Sequence, residues 1–179
     1  MLKSLSLTYD AVEDRMLLRV IEQRPEGDVD HWLHLTRRVC AKWRHDMQGV
    51  LEMSAETATA QPTRELPPKA RAAVSAAHHQ EVAKQVPVKR DPPTLAPASV
   101  TPTLVTRVVC GKKHGQELWV VSMDLRNGQN MALTIDSRMM HGLVSVLGEQ
   151  VRSAQWQLPA LPAEVALPAP EPTPGKVLH

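Results

Sequence analysis

The side chains that could do chemistry are few and widely spaced in this 179-residue chain. The nearest approach to a metal-ligand cluster is a short run of possible ligands: His31, His34, Cys40 and His45. On a strand, His31 and His34 would point to opposite faces, and the run matches no zinc-site spacing. Neither Cys40 nor Cys110 lies in a sequence context typical of an activated nucleophile. We therefore expect no metal site, no cofactor and no enzymatic activity.

Arginines at predicted helix starts could instead bind an anion. Arg37 and Arg38 open one predicted helix, and Arg138 occupies the matching place in another. Free backbone N–H groups at a helix N-terminus attract phosphate, and arginine adds charged donors. The structural alternative is that the acidic turn at 10–14 pairs with Arg37 and Arg38. The residues alone leave both interpretations open.

Tryptophans on predicted strands would complete a nucleic-acid surface. Alternation places Trp32 and Trp119 opposite the apolar side chains of their own strands, on a face that one layer of helices leaves uncovered. Nucleobases stack on such exposed rings, and the alternative is that a second apolar layer covers them. Together with the arginines, Lys112 and Lys113, these residues predict single-strand binding if they all lie on one face.

Proline marks the parts of the chain that are not expected to form the folded domain. Every proline except Pro25 falls in 57–102 or 159–179. Between these stretches, 1–56 and 103–158 share a pattern of apolar residues at a constant offset of 100 positions. The pattern predicts two copies of one unit, a Pro/Ala-rich linker and a Pro-rich tail.

Each copy reads as three strands and a helix. In the first copy, apolar and polar residues alternate over 5–9 and 16–20, and a third strand runs through 32–35. The period then becomes helical after Thr36, a predicted N-cap. The apolar face of this helix consists of Val39, Trp43, Met47, Val50 and Leu51.

The second copy repeats the pattern, with Asp136 as the predicted N-cap. The residues predicted to face the core on its first two strands are Val105, Val109, Leu118 and Val120. Those predicted for its helix are Met139, Leu143, Leu147 and Val151. One departure is Arg107, which falls opposite Leu7 on the core face. The sequence thus predicts an α+β fold of two tandem β-β-β-α repeats related by a pseudo-two-fold axis.

The proline-rich segments are the predicted partner contacts. An alanine-rich stretch without Pro or Gly predicts a possible helix at 69–86, with His78 and His79 as a polar pair on a mobile segment. In the tail, Leu-Pro-Ala repeats favour an extended conformation that could dock on a partner through Leu158, Leu161 and Leu167. The alternative is a solvated tail.

The charge and the absent motifs narrow the function. A formal net charge of +2 is low for a dedicated binder of duplex DNA. No run of seven or more apolar residues follows Lys3, and no run reaches 18, so we expect no signal peptide and a cytoplasmic protein without membrane contact. We expect a non-enzymatic protein-interaction or structural subunit with a protein partner. The alternative is a single-stranded nucleic-acid-binding module.

Overall fold

The computed structural model describes residues 1–59, 63–86, 95–113, 116–159 and 161. Within these residues the chain is α+β, with a six-stranded mixed sheet and three α-helices, which confirms the predicted fold class. The strands are β1 (Leu2–Asp10), β2 (Arg15–Arg24), β3 (Gly27–Leu35), β4 (Thr103–Lys112), β5 (Leu118–Leu125) and β6 (Asn130–Asp136). The α-helices are α1 (Arg37–Thr59), α2 (Pro68–Lys84) and α3 (Ser137–Ser153), and a 3-10 turn at Thr63–Glu65 precedes α2.

The six strands follow one another across the sheet in chain order, from β1 to β6. Neighbouring strands are antiparallel except β3 and β4, which run parallel because α1 and the linker return the chain between them. The edge strands β1 and β6 also come into contact. A flat sheet would hold these edges about 24 Å apart, at about 4.8 Å per strand step. The sheet is therefore strongly curved.

The helices form a layer that shares one apolar core with the sheet. All five residues predicted for the apolar face of α1 are buried. The Thr36 hydroxyl accepts from the Val39 N–H at 3.3 Å, and the Asp136 carboxylate accepts from the Met139 N–H at 2.7 Å. Helix α1 packs against β4, and α3 packs against β1. In the described part of the chain, no helix combines the length and apolar character needed to cross a membrane.

Strand β4 departs from the predicted face pattern at a β-bulge between Val105 and Arg107. The bulge adds one residue to this strand, so the side chains beyond it exchange faces. Val108 is 3% exposed and lies in the core, whereas Val109 is 41% exposed. The prediction of Val109 as a core residue was wrong, and the bulge also explains why Arg107 is exposed.

Strand β5 alternates regularly, but in the opposite phase to the prediction. Its core-facing residues are Trp119, Val121 and Met123, while Leu118 and Val120 are only half-buried. Val121 pairs with Leu133 as Leu18 pairs with Leu33, so the two second strands correspond at an offset of 103 positions and not 100. Because the side-chain period of a strand is two, this odd difference reverses the face. The prediction that Leu118 and Val120 face the core was therefore wrong.

Helix α3 differs from its prediction at the first turn only. Leu143, Leu147 and Val151 are buried as predicted, but Met139 is exposed and Met140 takes its place in the core. Consecutive helical residues lie 100° apart, so the buried face is turned by one residue at this end.

Candidate functional site

The two strand tryptophans do not lie on an open surface. Trp119 is 2% exposed and belongs to the apolar core, because it lies on the core-facing side of β5. Trp32 lies on the other face of the sheet, where the Arg19 guanidinium covers its ring at 4.7 Å from the centroid. Asp30 holds that guanidinium, with Nη2 and Oδ2 2.6 Å apart. The expectation that both indoles are uncovered was wrong, and neither is placed to stack on a base.

The basic residues are exposed but spread apart. Arg37 and Arg38 begin α1, whereas the Lys112 Nζ lies 3.2 Å from Thr57 Oγ1, close to the other end of that helix. Twenty residues of helix at about 1.5 Å each separate the two groups by roughly 30 Å. Lys112 also contacts Glu117 at 3.1 Å, and Lys113 follows it in the chain. The lysines therefore do not extend the surface of the arginines at the start of α1.

Arg138 is distant from the arginines at the start of α1. Its neighbour Ser137 bonds to Ser54 on α1, 17 residues after Arg37. At about 1.5 Å per residue, this places the start of α3 roughly 25 Å from the start of α1. Ser54 lies three residues before Thr57, so Arg138 and Lys112 lie toward the same end of α1. The predicted basic surface is thus divided between the two ends of α1.

The acidic turn engages Arg37 and the segment after α3. Asp14 accepts hydrogen bonds from the Trp156 indole and the Tyr9 hydroxyl, each at 2.8 Å. These bonds, together with the positive charge of Arg37, hold the pKa of Asp14 below its ordinary value. The turn thus favours the structural interpretation of Arg37 over an anion site.

The beginning of the tail packs on its own chain. Leu161 is buried in the core cluster, and Leu158 is half-buried against the same cluster. The third predicted contact, Leu167, lies outside the described residues. Leu158 and Leu161 therefore pack against the core of their own domain.

The four residues considered as metal ligands are dispersed. His31 lies 3.5 Å from Glu22, His34 and Cys40 are buried, and His45 is exposed. Among the described residues, no group of three or more His, Cys, Asp or Glu side chains has an arrangement that could hold a metal ion.

The linker helix α2 brings together polar residues that the sequence did not connect. It lies against α1 and α3, and its buried residues are Ser75, Ala76 and His79. His79 was predicted to lie on a mobile polar segment, which was wrong. We name the polar side chains at this junction the histidine–serine cluster: Ser54 of α1, His78 and His79 of α2, and Ser137, His141 and Ser145 of α3.

His141 is the centre of the histidine–serine cluster. Its Nδ1 lies 2.8 Å from His79 Nδ1, and its Nε2 lies 3.0 Å from Ser54 Oγ. The Ser54 hydroxyl also contacts Ser137 Oγ at 3.1 Å and His78 Nε2 at 3.3 Å. The His79 ring stacks on the His141 ring at 5.1 Å between centroids. Both ring nitrogens of His141 thus have partners from other helices.

Burial favours the neutral forms of His141 and His78. Desolvation, together with the neighbouring His79 and His78, lowers the pKa of His141 to about 3, and desolvation also lowers the pKa of His78. The imidazole of His141 therefore carries no charge near neutral pH.

The cluster has the order of groups found in a catalytic triad, but a substrate has no access to it in this conformation. Ser54, His141 and His79 are arranged as hydroxyl, base and orienting group. However, His141 is 1% exposed and Ser54 is 6% exposed, so a substrate does not reach the hydroxyl in this conformation. A base with such a low pKa also takes up a proton weakly. We interpret the cluster as a polar interface between helices.

Sequence reasoning missed the cluster because its members come from three separate helices. Ser54, His79 and His141 are far apart in the chain, and none belongs to a recognised motif. The one available signal was the His78–His79 pair on an otherwise alanine-rich helix. Such a helix has few apolar residues to bury, so polar residues must contribute to any docked face.

Comparisons with known proteins add no assignment to this geometry. No protein-family model matches the chain, and neither the curated proteins nor the solved structures gave a match.

Proposed function

We propose that the protein is a non-enzymatic protein-interaction subunit in which α2 is an exchangeable element. In this proposal the curved sheet, α1 and α3 are the rigid part, and a partner helix competes with α2 for the groove between α1 and α3. The observation that carries the proposal is the composition of the docked face. In α2, which the structure describes throughout, Ala76 is the one fully buried apolar side chain.

The energetics favour weak docking of α2. Burying one methyl group contributes about 0.8 kcal/mol, and an isolated helix of this length is marginal in water. Ser75 Oγ is buried and has no hydrogen-bond partner in the described part of the chain, which typically costs about 1–3 kcal/mol. By contrast, α1 and α3 each bury an extended apolar face. We therefore expect α2 to undock long before the domain unfolds.

The groove that α2 fills indicates the chemistry of a competing helix. The approach is close just after α2, where a Cβ added at Gly142 would lie 2.9 Å from Val86 Cγ1. Ala76 of α2 joins the apolar core. The other contacts include the polar groups Ser54 and His141 and an ion pair of Arg71 with Glu52 at 4.0 Å. A partner helix would need small side chains and hydrogen-bonding groups on one face.

We also propose that 1–56 and 103–158 are copies related by a pseudo-two-fold axis. The same order of three strands and a helix occurs twice, and the helix caps Thr36 and Asp136 are 100 residues apart. A two-fold axis that exchanges the copies relates β1 to β4 and β3 to β6. It therefore requires β6 to lie beside β1, as β3 lies beside β4. The contact between those edges supports this, as does the matching placement of α1 on β4 and α3 on β1.

In this proposal the proline-rich segments tether the domain to its partner. The contact through Leu167 and the cytoplasmic location stay predictions, which identification of a partner would test. Cys40 and Cys110 are free thiols, as expected in a reducing compartment.

The test is a disulfide that locks α2 in place. An ideal Cβ at position 142 lies 3.7 Å from Val86 Cβ, within the usual range of about 3.5–4.5 Å for disulfides. The variant V86C/G142C would serve as bait in a host lysate, once oxidised and once reduced. We expect a protein that binds the reduced bait and is lost from the oxidised bait.

The single variants V86C and G142C are the matched controls, because neither can form the lock. Equal recovery of the same proteins from both redox forms would contradict exchange of α2. A second pair of baits, the full chain and a chain ending at Leu158, separates a contact made by the tail from one made by the helices.

The alternative of single-strand binding draws no support from the tryptophans, since both are buried. It stays a prediction, and the same experiment tests it. Recovery of nuclease-sensitive material on every bait, without a protein partner, would favour it.

A further inference from the structure

We propose that protonation of the histidine–serine cluster releases α2, so that docking of this helix depends on pH. The inference goes beyond the proposed function because it concerns the chain alone and requires no partner. It rests on the His79–His141 pair, which lies inside the interface that α2 must leave before water reaches these nitrogens.

The geometry of the pair limits how many protons it can hold. A neutral imidazole carries one N–H donor and one acceptor nitrogen. The two Nδ1 atoms lie 2.8 Å apart, so one of them must donate and the other must accept. A proton added to the accepting Nδ1 would set two N–H groups against each other at this distance. The docked arrangement therefore excludes that proton, and the pair can take up one further proton only at the outer Nε2 of the donating ring.

The surroundings offer no compensating negative charge to His141. Among the described groups, those that act on its charge are His79 and His78, and both would repel an imidazolium. From α1 and α3, the neighbouring groups are the uncharged hydroxyls of Ser54 and Ser137. A cation in this place would be desolvated without an opposite charge.

The remaining groups at the junction are of the same kind. The Ser145 hydroxyl lies 3.4 Å from His79 Nε2. The ion pair across the interface joins Glu52 of α1 to Arg71 of α2, so that carboxylate already has a cationic partner. The Glu52–Arg71 ion pair and the histidines therefore contact α2 at different positions along the helix.

The direction of the effect follows from the two protonation equilibria. With α2 docked, the pKa of His141 is about 3, whereas the ordinary histidine value is 6.5. Docking is therefore strongest above pH 6.5 and weakens as the pH falls below it. Each histidine that takes up a proton on release lowers the docking constant by about tenfold per pH unit.

Hydrogen exchange of the full chain tests the proposal. Amide protection would be measured at pH 7.5, 6.5 and 5.5 and corrected for the intrinsic exchange rates. We expect protection of 68–84 to fall by about fivefold between pH 6.5 and 5.5 for each histidine that takes up a proton on release. Protection of β5 should change little, because this strand carries no histidine and its buried side chains are apolar.

Variants that lack the two buried imidazoles test whether histidine protonation causes the pH dependence. H79Q/H141Q retains hydrogen-bonding side chains but cannot take up the proton, so its α2 protection should lose most of the pH dependence. H45Q is the matched control, since His45 is exposed on α1, and it should behave like the wild-type chain. An unchanged pH dependence in H79Q/H141Q would overturn the proposal.

A direct titration keeps the proposal testable if the double variant does not fold. The imidazole resonances of the wild-type chain would be followed by NMR from pH 8 to 5. We expect His141 to gain its proton only as α2 loses protection. Titration of His141 near pH 6.5 while α2 stays protected would overturn the proposal, as would α2 protection that does not change with pH.

Discussion

The indole Nε1 of Trp156 donates to Oδ1 of Asp14 at 2.8 Å, and this bond joins residues 142 positions apart in the chain. It ties the segment after α3 to the turn between β1 and β2. Asp14 adopts a positive φ of 48°, and the Tyr9 ring meets the Trp156 ring edge-on at 5.8 Å. The segment after α3 is thus held against the first hairpin.

The first prediction concerns this tie. W156F should lower the free energy of unfolding by about 1–2 kcal/mol, because it removes a hydrogen bond to a carboxylate and part of a buried ring. Urea denaturation would measure the change. Y9F, which removes the other donor to Asp14, is the companion variant and should also destabilise the domain. No loss of stability in W156F would show that the tie is not needed.

The second prediction tests the bulge in β4. V108A should lower the free energy of unfolding by about 1.5–3 kcal/mol, since it removes core methyl groups and leaves a cavity. V109A should change it by less than about 0.5 kcal/mol, because Val109 is exposed. The two variants delete the same atoms from adjacent positions, so urea denaturation compares them directly. The opposite order would mean that β4 follows the uninterrupted alternation.

The third prediction concerns the close approach of α2 to Gly142. Alanine at a helix-interior glycine normally stabilises by about 1 kcal/mol. In G142A the new Cβ would lie 2.9 Å from Val86 Cγ1, so we expect this gain to be absent or reversed.

Removing the obstructing side chain should restore the gain at position 142. G142A introduced into a V86A background should stabilise by about 0.5–1 kcal/mol, because the Cγ1 atom is gone. A double-mutant cycle measured by urea denaturation gives the coupling. A coupling of zero would contradict the contact between Val86, just after α2, and Gly142 of α3.

The fourth prediction concerns thiol reactivity. Burial raises the pKa of Cys40 to about 12 and that of Cys110 to about 11, against an ordinary 9.0. Near pH 8, Cys110 should carry about a hundredfold less thiolate than an ordinary cysteine, and Cys40 about a thousandfold less. Iodoacetamide labelling followed by mass spectrometry should modify both slowly in the native chain and rapidly in denaturant. Fast labelling of native Cys40 would contradict its burial.

The fifth prediction uses the same chemistry to detect opening of α2. Ser75 is as deeply buried as Cys40, but it lies on the weakly docked helix. A thiol introduced by S75C should be labelled much faster than Cys40, because local undocking exposes it without unfolding the domain. Equal labelling rates would mean that α2 opens only with the whole domain.

The sequence by itself determined the local elements of this fold. Alternation at 16–20 and the helical period after Thr36 depend on neighbouring residues, and a side chain such as Trp43 is buried wherever its helix packs. The capping groups Thr36 and Asp136 likewise act on amides three residues away. These features depend on residues that are close together in the chain, so the sequence pattern is sufficient to predict them.

The other features of the fold depend on residues that are distant in the chain, so they become visible only in the tertiary structure. The bulge in β4 is seen only in the pairing with β5, and it places Val108 rather than Val109 in the core. The contact between His79 and His141 exists only because α2 docks against α3. Burial of an indole or an imidazole is set by what packs over it, and no period in the sequence encodes that partner.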